Sequence, residues 1–170
     1  MPPLPAEDHA CAECGTDYAA LDLGTALGII AAVPGQAREV ASAAADPRRR
    51  PGPATWSVLE YACHLRDVYA TSTIRLFRTR TEDRPALEPM LNDLRAARFG
   101  YNELDLAAVL DELDRTAAGF LAEAARVPAA GWRRTATRLP GEERTALWIA
   151  RHAAHEGTHH LADLRRLAEQ

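Results

Sequence analysis

The segment running from Ala150 to Leu167 carries four of the chain's 6 histidines, His152, His155, His159 and His160, together with Glu156 and Asp163. If it is helical, residues four apart lie one above the other, so the segment can aim two metal ligands in one direction. The apolar pattern selects that direction. At about 100° per residue, Ile149, Ala150, Ala153, Gly157, Leu161, Leu164 and Leu167 fill one sector of roughly 120° that must face the core. Glu156 and His160 fall on the edge of that sector. His155 and His159, with the same spacing, point about 80 to 100° further round, toward solvent. Periodicity therefore favours Glu156 and His160 as the inward pair, because ionisable groups at a core edge are costly unless paired or metal-bound. His152 and Asp163 lie between the two groups, where a side chain supports a ligand rather than binding the metal itself.

Two ligands do not make a secure site, and a third must come from another element. The stretch Trp56-Ser-Val-Leu-Glu60-Tyr-Ala-Cys-His64-Leu-Arg-Asp67 places His64 on a second amphipathic helix. Two imidazoles and a carboxylate would leave a coordination position open for water or substrate, as a catalytic site requires. Such mixed ligation suits Zn, Ni, Fe or Mn. Asp67, three residues beyond His64, is placed to fix its tautomer, and Glu60 completes a capping box with Ser57.

The elements that must position these residues are helices. Leu23 to about Ala45 carries a helical pattern, broken by Arg48-Arg-Arg-Pro-Gly-Pro. The second helix opens after Ser57 and runs to about Thr79. A connection over 81–102 has a helical centre near 91–99. A third helix spans Leu104 to Ala125, with Leu106, Val109, Leu110, Leu113, Ala117, Phe120 and Leu121 at helical spacing. After a second connection over 127–141, the fourth opens around Glu142 to Thr145, acidic residues suiting the first turn. No stretch shows convincing strand alternation. The pattern is all-α: a four-helix bundle, residues 23–170, behind an irregular N-terminal extension, residues 1–22. Bundles of this kind build metal sites from inward-facing side chains.

At 170 residues with 47% hydrophobic composition the chain can bury a core. A formal charge of −4 with dispersed basic residues argues against nucleic acid as a partner. Every one of the 20 basic side chains is Arg, which with the alanine load suggests a GC-rich genome. No charged leader precedes an apolar stretch, and no run approaches the roughly 18 apolar residues of a membrane span, so a cytoplasmic location without a membrane is expected. A homodimer is expected if an apolar side of so small a bundle stays exposed.

The motifs Trp56-Ser57-x-x-Glu60-x-x-x-His64-Leu65-x-Asp67 and Glu156-Gly157-x-His159-His160-x-x-Asp163-Leu164 resemble those of the DinB-like metalloproteins, over about residues 24 to 168. The resemblance implies an up-down-down-up bundle. It also implies a divalent metal, often zinc or nickel, held by a histidine of the second helix and two residues of the fourth. Carried over by position, these are His64, Glu156 and His160, with glutamate in the middle as in the mycothiol-linked branch, which includes the maleylpyruvate isomerases. The activity implied is metal-dependent transfer of a low-molecular-weight thiol, mycothiol or bacillithiol, onto a small electrophile. A metal-dependent hydrolase and a non-catalytic metal-binding module are the alternatives. The electrophile would be selected by the connections and the extension. Maleylpyruvate isomerisation itself is not expected, since such enzymes carry a further C-terminal domain.

The extension holds a separate motif, His9-Ala-Cys11-Ala-Glu-Cys14-Gly-Thr-Asp17, with the spacing of half a zinc knuckle. His9 and Asp17 or a second subunit could complete it. A redox pair is a second reading, although the βαβ context of that chemistry is missing. The third is an extension that simply packs its cysteines over the bundle. On the solvent-facing assignment, replacing His155 or His159 should change neither metal content nor stability.

Overall fold

The computed structural model describes residues 4–169; residues 1–3 of the extension and Gln170 lie outside it. Four long helices make the bundle: α1 (Leu23–Ala43), α2 (Val58–Thr81), α4 (Leu106–Ala124) and α5 (Ala146–Ala168), with a short α3 (Asn92–Arg98) in the connection between α2 and α4. Helix α2 packs on α4 and α5, and α1 packs on α5 and α4, so the consecutive pair α1 and α2 meets mainly across the diagonal of the up-down-down-up bundle. Among the described residues, no helix is long and apolar enough to cross a membrane.

Local chemistry sets the helix starts. Asp22, Ser57, Asp105 and Thr145 each cap a long helix by accepting a backbone N–H from three residues on. At α2 the capping box is complete, Glu60 accepting the Ser57 N–H at 2.9 Å. Arg50 also donates to Glu60 through Nε at 2.7 Å, while Arg48 reaches the carbonyls of Asn102 and Leu104. Two members of the arginine run thus tie the connections to the bundle.

Two expectations are corrected. Glu142 and Glu143 are not in the first turn of α5. Residues Glu143–Thr145 form a strand, β2, antiparallel to β1 (Thr135–Thr137), with Gly141 at φ +82° in the turn between them. Three-residue strands are too short for alternation to register in sequence. The hairpin is anchored from outside: Leu87 N donates to Thr137 O at 2.6 Å, and the Thr145 N–H reaches the Glu7 carboxylate at 2.5 Å.

The core sector of α5 is as its periodicity predicts, with Ile149, Ala150, Ala153, Leu161 and Leu164 all buried. Gly157 lies within it for a steric reason. A Cβ there would sit 2.5 Å from the Tyr69 hydroxyl and 2.9 Å from Val33 Cγ2. Glycine therefore lets α1 and α2 close on α5 next to Glu156. Gly157→Ala is expected to cost about 1–3 kcal/mol through overpacking, read as a lowered urea midpoint with unchanged slope.

Candidate metal centre

His64, deep on α2 and 2% exposed, faces Glu156 and His160 on α5. Its Nε2 lies 3.1 Å from Glu156 Oε2, and His160 Nε2 lies 3.5 Å from the same oxygen. The donor atoms of all three fall within 4.8 Å of one another. Donors about 2.0 Å from a tetrahedral ion stand roughly 3.3 Å apart, so the spacing fits one small cation. Trp56 packs against the His64 ring at 5.2 Å, and Tyr61 packs against His160 at 5.2 Å. These aromatic walls hold both imidazoles in place.

The protonation of the donors also suits a cation. Burial pushes the His64 imidazole below its ordinary range, so Nε2 can offer a lone pair. Burial would raise Glu156, but hydrogen bonding to His160 and His64 outweighs it and keeps the carboxyl well below the ordinary carboxylate range. His160 differs from His64 because it has a second carboxylate. Burial lowers its pKa, yet the bonds to Asp163 and Glu156 prevail and hold it at about 9. A cation must displace that proton, so affinity for a metal rises with pH.

The supporting residues divide sharply. Asp163 accepts from His160 Nδ1 at 2.8 Å, which turns Nε2 toward Glu156. His152 packs on Trp148 at 4.6 Å, and its Nε2 is 4.0 Å from Glu156 Oε1, beside the centre without a hydrogen bond to it. Asp67 corrects the sequence reading. Its carboxylate takes hydrogen bonds from Arg66, Arg95 and Tyr101, tying α2 to α3 and to the turn at Tyr101, and no bond joins it to His64. Three residues along a helix brings two side chains near each other, but their rotamers still choose the partner.

His155 is a second correction. It is 7% exposed, covered by the extension, with Nδ1 2.9 Å from the Tyr18 hydroxyl. His159 is partly exposed and lies 3.7 Å from Cys11 Sγ through Nδ1. The face of α5 assigned to solvent is the floor on which the extension packs. Sequence reading also missed Arg75, which is buried with Nε unpaired and close enough to Glu156 and Arg138 to feel their charge.

A bundle that gathers two imidazoles and a carboxylate from facing helices belongs to the helical bundles that build polar sites in their interior. More narrowly, the chain belongs to the DinB superfamily, whose family model matches residues 37–164. Among solved structures it is similar to YfiT from Bacillus subtilis, described as a probable metal-dependent hydrolase with an unusual four-helix bundle topology. That likeness has a TM-score of 0.73 at 19% identity and covers 85% of this chain and 86% of the other. No curated protein matches the sequence.

Proposed function

We propose that the protein is a divalent-metal-dependent enzyme in which His64, Glu156 and His160 hold the ion and a small nucleophile is activated beside them. The observation that carries this reading is the convergence of three N and O donors, from two helices, within 4.8 Å. Three protein ligands leave room for a visiting molecule, whereas a structural site is closed. The bound ion would lower the pKa of a thiol or water, giving a nucleophile near neutral pH. Zinc is the ion we favour for a thiolate partner. The thiol reading, with a low-molecular-weight thiol of the mycothiol type as co-substrate, comes from the resemblance to the mycothiol-linked branch of the family rather than from the ligand set itself.

The chain's own residues supply the rest of the chemistry. Asp163 keeps the His160 tautomer. His152, held below its ordinary pKa chiefly by burial, is a neutral base beside Glu156 that can take a proton. Arg75 gives the interior a buried positive charge, favouring an electrophile that carries an anionic group.

Hydrolysis by activated water is the second reading, favoured by the description of the Bacillus subtilis structure. The two separate on one assay. With the cobalt-loaded protein, saturating mycothiol should change the visible absorption and support thiol conjugation of a bimane electrophile. Unchanged absorption together with thiol-independent ester cleavage would establish the hydrolase instead. Product from neither assay would contradict both.

A further inference from the structure

The extension and the outer face of α5 complete each other. In the run His155-Glu156-Gly-Thr-His159-His160, two pairs of residues four apart are offset by one position, so they point about 100° apart around the helix. The pair Glu156 and His160 meets His64. The pair His155 and His159 meets Cys11 and Cys14, and the ligand atoms of these four residues all lie within 4.8 Å of one another.

The loop carrying the cysteines is shaped as a sulfur knuckle. Gly15 N donates to Cys11 O at 2.9 Å, with Gly15 at φ +73°, and Cys11 N donates to Thr16 O at 2.9 Å. Cys14 Sγ lies 3.2 Å from Thr16 Oγ1. The histidines are oriented from behind. His155 Nδ1 is engaged by the Tyr18 hydroxyl at 2.9 Å, which leaves its buried Nε2 without a hydrogen-bond partner. His159 presents Nδ1 to Cys11 Sγ at 3.7 Å, while its Nε2 is 3.5 Å from the Glu13 carboxylate. Nitrogen and sulfur ligands on one tetrahedral zinc stand about 3.5 Å apart. Partners on the second ring nitrogen are what metal-binding histidines ordinarily have.

We propose that Cys11, Cys14, His155 and His159 form a second metal site, a closed tetrahedral zinc site that staples the N-terminal extension to α5. Two sulfurs and two imidazoles fill the coordination sphere, so this site is structural, unlike the three-ligand centre beside it. On binding, the two thiols release their protons to solvent. Two thiolates and two neutral imidazoles then balance the dipositive ion, and the assembled site carries no net charge beneath the extension. Since His159 and His160 are neighbours with ring centroids 5.0 Å apart, the staple fixes the stretch of α5 that carries Glu156 and His160.

The full-length protein, kept reduced and freed of metal, would be titrated with cobalt(II) while circular dichroism reports its fold. A thiolate-to-cobalt charge-transfer band in the near ultraviolet is expected. It should be absent in Cys11→Ser/Cys14→Ser, at least tenfold weaker at equal cobalt in His159→Gln, and retained in Cys63→Ser and in His64→Ala. No such band in the folded wild type, or a band that survives the double serine replacement, would overturn the proposal. The reading of the His64 centre fails separately, through a cobalt stoichiometry that His64→Ala leaves unchanged.

Discussion

His64→Ala is expected to empty the candidate metal centre and to lower Tm by about 5–10 °C in the presence of metal. The two effects have one origin. An ion that binds only the folded state stabilises it by about 2.7 kcal/mol at a hundred times its dissociation constant. For a chain of this size each kcal/mol moves Tm by about 2–4 °C. His64 is one of three donors, so its loss should weaken metal binding by more than the roughly 10–100-fold typical of removing a supporting group. Asp163→Asn, which removes only the carboxylate behind His160, should fall inside that range. Elemental analysis and thermal melts with and without chelator check both variants. A Tm loss in His64→Ala that is the same in chelator as in metal would mean that this 2%-exposed side chain acts by packing alone.

Asp67→Ala is expected to cost about 3 kcal/mol or more with no change in metal affinity. The replacement leaves the guanidinium groups of Arg66 and Arg95 and the Tyr101 hydroxyl without their shared acceptor. Breaking a buried ionic network from one side typically costs about 3–5 kcal/mol, and Arg95, partly open to water, places this case at the lower end. Burial alone would raise the Asp67 carboxyl, but the bonds from Tyr101, Arg95 and Arg66 outweigh it and hold it below the ordinary range. With the folded pKa depressed, the stabilisation is complete above the unfolded value of about 3.9 and is lost as pH falls through the folded one. Chemical denaturation should therefore show a constant gap between wild type and Asp67→Asn above about pH 5 that narrows below about pH 4. A gap accompanied by lost metal would restore the role beside His64 that spacing suggested.

How much of this was readable in sequence depends on whether a residue's environment is set by its own helix. The inward phase of α5 was, because Ile149, Ala153, Leu161 and Leu164 mark the core by period alone, and Glu156 and His160 follow from it. The capping box at Ser57 is equally local. His64 needed the company of its motif, since one histidine on an amphipathic helix is compatible with plain packing. What escaped was tertiary. His155 lies on a polar face of α5 by period, and only the folded extension, with Tyr18 fully buried against it, turns that face inward. For the same reason Cys11 and Cys14 looked like half of a knuckle: His155 and His159 follow them by 141 or more residues (155 − 14), on the helix that also carries Glu156 and His160. Asp67 was misassigned because sequence spacing specifies a neighbourhood rather than a bond.

His64, Glu156 and His160 are proposed to surround a divalent ion. This arrangement is tested most directly by a crystal of the zinc-loaded protein measured at the zinc absorption edge. An anomalous peak bounded by His64 Nε2, the Glu156 carboxylate and His160 Nε2 is expected. Saturating zinc that leaves His64 Nε2 in direct hydrogen bond with Glu156, at the present 3.1 Å and with no peak beside them, would contradict it.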